Sequence, residues 1–408
     1  MAWDDIPDNV WEMRKRTVWK VFTPGAPIDR REVFAGRLDQ LQAVDEVVLQ
    51  KGQHAAIYGE RGVGKTSLAK IAKEVADKEK IFSAHVTCDS SDDFDSIWRK
   101  VFEEIRVVLT DKQEVTGSYY LGDIDRLTPN AVRVVLQELT RGAPAVIFID
   151  EFDVVRHSTT QLLLAETMKV LSDQGIDATV VLAGVAENIV DLIGQHASTE
   201  RSLTQVPMPR MTIEEREAII ENGLTPAGMT IDAVARHRIV TLSQGLAHFV
   251  HLLAQRAALL ALLDNRTNVK LADVSKAIDT SIADTQVSVS SNYEAAVKSN
   301  RKSLYPDLVL ACAMISPDEH GYFTAKALVG PLTTVTGEAM TISQFGPHLK
   351  ELATSRGLLH RDGDKRKYRY RFRNPLVQPY VLMRGVKESR IDHTDVLGAN
   401  DDRERPLQ

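Results

Sequence analysis

Three observations predict an α/β fold built on a parallel sheet that lies between helices. Five short segments are apolar or β-branched enough to be buried strands, most of them are followed by a helix-like stretch, and a glycine-rich loop joins the first strand to its helix. The strands are HAAIY (54–58), FSAHVT (82–87), AVIFID (145–150), ATVVLAG (178–184) and QVPM (205–208). Runs this apolar suit strands that are covered on both faces.

The composition narrows the class. A chain of 408 residues has room for two or three compact units, and 43% hydrophobic residues is ordinary for buried cores. Its net charge of -6 gives no overall basic excess, so a nucleic-acid partner has to be met by a local patch. The two cysteines, Cys88 and Cys312, fall in different predicted domains, which speaks against a disulfide framework or a thiolate metal site and fits a reducing cytoplasm. The start, MAWDDIPDNVWEMRKR, lacks the apolar core of a signal peptide, and the run AALLALL (257–263) is too short to span a bilayer. No membrane is expected.

In chain order, residues 1–33 form an N-terminal arm that mixes Trp11, Trp19 and Phe22 with Arg14, Lys15 and Arg16. Such aromatics call for cover, from the protein's own core or from an adjacent subunit. Residues 34–211 hold the sheet. Within them FDSIWRKVFEEIRVVL reads as a helix with Phe94, Ile97, Trp98, Val101, Phe102 and Ile105 on one core-facing side. After Arg210 the strands stop. Residues 212–285 read as a helical bundle: TIEEREAIIENGL (212–224), HRIVTLSQGLAHFVHLLAQRAALLALL (237–263) and KLADVSKAIDTSI (270–282). Residues 286–386 run from a linker through three helices, LYPDLVLACAMI, FTAKALVGPL and TISQFGPHLKELATSRG, to a hairpin, LLHRDGDKRKYRYRFRN. That order suggests a winged helix-turn-helix. The polar tail, 387–408, reads as disordered.

The glycine-rich loop is GERGVGKTS (59–67). Gly59, Gly64, Lys65 and Thr66 match G-x-x-x-x-G-K-[ST], between an apolar strand and the helix start SLAKIAKEV; Glu60, Arg61, Gly62, Val63 and Ser67 complete the nucleotide-binding stretch. Glycines let backbone N–H groups turn toward phosphate oxygens, the helix N-terminus adds positive potential, and Lys65 reaches the terminal phosphates. Thr66 would carry Mg2+ on its hydroxyl. AVIFIDEFD supplies the other half: Asp150 at a strand end holds the metal through water, and Glu151 orients or activates the attacking water. ATP and Mg2+ are therefore the expected cofactors, with Lys65, Asp150 and Glu151 in the chemistry.

GERGVGKTS, FIDEFD, the upstream FAGR (34–37) and the helical bundle after the sheet together resemble AAA+ ATPases. With a winged helix added, the chain is similar to the origin-recognition and initiator clade, including its bacterial relatives, and more loosely to transposition-regulator and STAND-type ATPases. The resemblance extends over roughly residues 30 to 385 and is more specific for the superfamily than for a biological process.

By position, the resemblance implies that Phe34 and Arg37 lie near the adenine pocket. VLAGVAEN (181–188) takes the place of the sensor strand, where Glu187 and Asn188 compete to watch the γ-phosphate. Arg201, just before the last strand, occupies the place of an arginine finger, which completes a neighbour's site and makes the active unit a homo-oligomer. The family's lid motif, glycine, two residues, arginine, is met by Gly245, Leu246, Ala247 and His248, so the arginine is missing. His248 either replaces it in part, when protonated, or packs at the lid interface. The departure favours a slow, switch-like ATPase.

The work of the nucleotide is read from the hairpin. RDGDKRKYRYRFR (361–373) carries seven basic residues against two acidic ones, and its strand alternation turns Tyr368, Tyr370 and Phe372 inward and Lys367, Arg369, Arg371 and Arg373 outward. With the preceding helix this gives a DNA-binding set of Lys350, Arg356, Arg361, Lys365, Arg366, Lys367, Arg369 and Arg371, and duplex DNA as partner. The alternative is a STAND-like signalling or defence switch whose winged helix mediates autoinhibition or binds an effector protein. A small-molecule kinase is disfavoured, since it needs an acceptor pocket and seldom appends a winged helix.

Overall fold

The structure is a computed structural model that describes residues 8–28, 34–108, 113–155, 157–193, 201–299, 303–318, 320–364 and 367–392. Lys365, Arg366 and the tail from 393 onward therefore lie outside the described residues. The chain divides into two compact units, one of residues 27–60 and 64–209, the other of residues 1–26, 61–63 and 210–408.

After helix α1 (Asp8–Val21), which belongs to the second unit, the first unit begins with α2 (Leu38–Leu49). It continues through β1 (His54–Gly59), α3 (Lys65–Lys78), β2 (Phe82–Thr87), α4 (Phe94–Glu104), β3 (Arg106–Val108), β4 (Glu114–Thr116), α5 (Pro129–Leu139), β5 (Ala145–Asp150), α6 (Ser158–Asp173), β6 (Ala178–Val185), α7 (Ile189–Ile193) and β7 (Leu203–Pro207). All five expected strands pair in parallel, in the order β2-β5-β6-β1-β7. Strands β5 and β6 are buried almost throughout, as their unbroken apolar runs require. In such sheets the carboxyl ends of the strands carry the ligand site, and here those ends are Gly59, Asp150 and Val185.

The helix read from Phe94 onward stops at Glu104 rather than running into RVVL. Asp93 and Ser96 form a capping box at its start, and Phe94, Ile97, Trp98, Val101 and Phe102 are buried on one face. Ile105 is already extended, and the β-branched Val107 and Val108 pair with Val115 and Glu114 in a small antiparallel ribbon, β3 with β4.

His54, at the start of β1, is fully buried and joins the sheet to α6. Its Nε2–H donates to Met168 O at 2.9 Å, while Nδ1 accepts from Val180 N at 3.0 Å, so both ring nitrogens are used by the neutral ring. Burial pushes its pKa down to about 4. The unfolded chain takes up this proton below about 6.5 and the folded one only below about 4, so the contribution is complete above pH 6.5 and is lost on acidification. The expected loss is about 3 kcal/mol between those limits. Unfolding followed by urea titration at pH 7 and pH 4.5 checks this: the difference should shrink in His54→Gln, and an equal difference in both proteins would remove His54 as its cause.

The second unit contains α1 and continues with α8 (Ile213–Leu224), β8 (Thr230–Ile231), α9 (Ala233–Ser243), α10 (Ala247–Leu263), β9 (Asn268–Val269), α11 (Leu271–Ala283) and α12 (Val287–Val297). The stretch read as 237–263 is broken between α9 and α10, because Gln244 and Gly245 adopt left-handed backbone with φ of 50° and 78°. A side chain at Gly245 would also approach Arg210 Cβ to 2.7 Å. The N-terminal aromatics find cover: Trp11 and Phe22 are buried, and Phe22 O accepts a hydrogen bond from Gln255, while Trp19 remains exposed.

The last part of this unit comprises α13 (Tyr305–Met314), β10 (Phe323–Thr324), α14 (Val329–Thr336), α15 (Ile342–Ala353), β11 (Leu359–Asp362), β12 (Arg369–Phe372) and α16 (Val377–Lys387). The three strands form an antiparallel sheet in the order β10-β12-β11. Three helices, with a short strand between the first two and a hairpin after the third, are consistent with a winged helix-turn-helix. Among the described residues no helix is long and apolar enough to cross a membrane.

Candidate functional site

The glycine-rich loop leaves β1 and enters α3. At Gly59 a side chain would meet the Met208 carbonyl oxygen at 2.4 Å, and Gly64 has a φ of 100°, which side chains rarely adopt. Both glycines are thus required by geometry, and Lys65 begins the helix. Its ammonium donates to the Gly59 and Glu60 carbonyl oxygens at 3.0 and 2.8 Å. Burial pulls the Lys65 pKa down to about 8, against the opposing pull of Asp153, Asp150, Glu60 and Glu151. Ser67 Oγ accepts a hydrogen bond from Ile28 N at 3.1 Å, which ties Ile28 to the start of α3.

Asp150 ends β5 and is 2% exposed. Its Oδ1 accepts from Glu151 N at 2.8 Å, whereas Oδ2 has no hydrogen-bond partner at ordinary distance. Burial works against its charge, but His85, Thr66 and the Glu151 N–H outweigh that and hold the carboxyl below its usual range. Glu151 is exposed and sits in left-handed backbone, φ 54°. A non-glycine residue held there at a strand end is the kind of local strain that functional sites carry.

The fold brings Lys65, Thr66, Asp150 and Glu151 together, and it adds two residues that the sequence reading did not single out. Asp153 accepts from Val185 N at 2.7 Å and so ties the loop after β5 to the end of β6; its signal was a third acid in IDEFD. His85, on β2, lies 3.6 Å from Asp150 Oδ2. A loop of backbone turns around a helix N-terminus, a buried lysine, a hydroxyl beside a buried carboxylate with one oxygen unsatisfied, and an exposed second acid suit a nucleotide triphosphate with Mg2+.

The other expected residues have surroundings of their own. Phe34 is half-buried, and Arg37 is 3% exposed with its guanidinium donating to the Pro209 carbonyl, which pins the start of α2 to the end of β7. Asn188 accepts from Asp191 N at 3.1 Å as the cap of α7. Arg201 is exposed, two residues before β7. His248, in the second unit, is paired through Nδ1 with the Pro24 carbonyl at 2.8 Å, and burial lowers its pKa, so the ring is held neutral as a packed histidine.

In the C-terminal sheet the alternation is as expected, with Tyr370 and Phe372 buried against Phe323 and Arg369 exposed. The six of these basic residues that the structure describes differ in what they touch. Arg356 stacks 3.5 Å over Tyr305 and donates to the Ala296 and Lys298 carbonyls at 2.6 and 3.0 Å. Arg369 pairs with Asp362 at 2.8 Å. Arg361 and Arg371 lie over Tyr368 and Tyr322, at 4.2 and 4.9 Å, and Lys350 and Lys367 are exposed.

These features are those of a P-loop nucleotide-binding fold. Residues 48–193 match the family model described as AAA domain. The chain's overall fold is similar to that of the Aeropyrum pernix ORC2 protein, solved as ADPNP–ADP complexes, with 15% identity and a TM-score of 0.51 over 94% of this chain and 98% of that one. Lower scores relate it to the Walker-type ATPase PABY2304 of Pyrococcus abyssi (TM-score 0.49, 15% identity, 88% of this chain and 99% of that one). The Aeropyrum pernix ORC1 protein in complex with DNA scores 0.47, at 18% identity over 92% of this chain and 98% of that one. No curated protein matches the sequence significantly.

Proposed function

We propose that the protein binds ATP with Mg2+ at the loop of residues 59–67, hydrolyses it slowly, and acts as an oligomerising switch that contacts duplex DNA through its C-terminal winged helix. The observation that carries the nucleotide reading is the convergence of Lys65, Thr66, Asp150 and Glu151 at the carboxyl ends of β1 and β5. In it, Lys65 and the backbone N–H groups hold the phosphates, Thr66 and Asp150 hold the ion, and Glu151 aligns the attacking water. Mg2+ would supply charge neutralisation on the phosphate oxygens. A neutral His248 in place of the lid arginine supports slow turnover.

The DNA reading rests on the wing, where the aromatics of β12 supply the core and leave cations outward. Fluorescence anisotropy of labelled duplex DNA, at two salt concentrations and with ATP, ADP or neither, tests it. Expected is ATP-enhanced binding that falls with salt by a log–log slope of about -0.9 per phosphate contact. Replacing Lys350, Arg361, Lys367 and Arg371 together by alanine should abolish it.

One observation favours the signalling alternative. Within the second unit, buried Gln378 of α16 donates to the Gln244, Ala313 and Ile315 oxygens at 3.2, 3.0 and 3.0 Å and accepts from Arg210 at 2.6 Å. A polar junction this well satisfied suits a winged helix held on the lid until released. Absence of DNA binding in every nucleotide state would favour that reading and direct the search to a protein partner.

A further inference from the structure

His85 lies on β2, which pairs in parallel with β5 so that His85 is opposite Phe148 and Thr87 opposite Asp150. Residues two apart on a strand share a face, so the His85 imidazole and the Asp150 carboxylate project from the same side of the sheet. Their side chains are 10% and 2% exposed, and Nε2 of the one lies 3.6 Å from Oδ2 of the other. Neither atom has a hydrogen-bond partner at ordinary distance, although both are buried. The ring also lies against Phe148, with centroids 6.5 Å apart, which limits where it can turn.

Burying an unpaired ring nitrogen opposite an unpaired carboxylate oxygen is costly for both, and a shift of a few tenths of an ångström would satisfy both at once. Asp150 is then held on two sides, by the Glu151 N–H on Oδ1 and by the imidazole on Oδ2. Groups that fix the orientation of a metal-binding carboxylate govern metal affinity without touching the ion.

We infer that His85 is a positioning residue for Asp150, donating from Nε2 to Oδ2 and setting the carboxylate for the Mg2+ that accompanies the nucleotide. This rests on reading Thr66 and Asp150 as the residues that hold the ion. Substrate itself is not touched by His85, and its effect passes through Asp150.

The test is a titration of the full-length protein with a fluorescent ATP analogue, in Mg2+ and again in EDTA. Wild type should bind more tightly with Mg2+. His85→Phe, which keeps a ring but no donor, should lose about 10- to 100-fold in the Mg2+-dependent gain while its EDTA affinity stays at the wild-type value. His85→Gln, whose amide can still donate, should recover most of the gain. His85→Asn, whose donor falls short, should behave like His85→Phe and serves if the latter fails to fold. Equal losses in Mg2+ and EDTA, or a wild-type gain in both His85→Phe and His85→Asn, would assign the histidine to packing alone. Wild-type protein that binds no nucleotide, or shows no Mg2+ gain, would instead overturn the reading of the site and the inference with it.

Discussion

Lys65→Ala is expected to weaken ATP binding by at least about 100-fold. Lys65 is 8% exposed, and the hydrogen bonds of its ammonium with the Gly59 and Glu60 carbonyls hold it at the helix start. A hydrogen bond to a charged group is worth roughly 1.5–3 kcal/mol, and about 2.7 kcal/mol corresponds to 100-fold in affinity. Isothermal titration with ATP and Mg2+ measures it. Glu151→Gln is the contrasting case: it should bind as wild type while turnover falls by about 100- to 10,000-fold, because a general base is lost and the phosphate contacts are kept. Wild-type affinity in Lys65→Ala would mean that the nucleotide lies elsewhere. Wild-type turnover in Glu151→Gln would leave the attacking water to another group.

The second large effect is expected at Arg201. An arginine supplied by a neighbour stabilises charge on the transferring phosphate, and losing one typically lowers turnover by about 1,000-fold or more while binding is kept. Arg201 is exposed at the approach to β7, as a residue serving a neighbour has to be. Mixing sharpens the test. Neither Arg201→Ala nor Lys65→Ala alone should turn over, yet a mixture should regain activity, since a site with Lys65 from one subunit and Arg201 from the other is complete. No recovery, with mixed oligomers verified by crosslinking, would place Arg201 outside the chemistry. Unchanged turnover in Arg201→Ala alone would do so more directly.

The central sheet was legible because its strands announce themselves locally. HAAIY, AVIFID and ATVVLAG are apolar or β-branched apart from His54 at one start and Asp150 at one end, and such short runs suit strands covered on both faces. The loop was equally legible, since Gly59 and Gly64 answer steric demands that no other residue meets. Less legible were the boundaries that depend on neighbours. Ile105 to Val108 continue the helical periodicity of α4, but pairing with 114–116 recruits them to a ribbon. The break at Gln244 and Gly245 divides the 237–263 stretch of the helical bundle into two helices.

The partners of the charged residues were not legible in the sequence. Seven basic residues in 361–373 look alike on paper, yet Asp362 occupies Arg369, and Arg356, expected beside them, holds Tyr305 and two carbonyls. Arg37 likewise turned out to anchor Pro209, and His248 to face the Pro24 carbonyl.

From its residues alone the chain declares its sheet, its phosphate loop and the acidic pair at Asp150 and Glu151, because each depends on backbone sterics or on side chains a few positions apart. What lies beyond that reach is who stands beside whom. His85 next to Asp150, Asp153 on the Val185 N–H and Gln378 against Arg210 are juxtapositions made by strand pairing and helix packing. No periodicity in a single sequence encodes such a contact, since its two halves come from segments that meet only when the core closes.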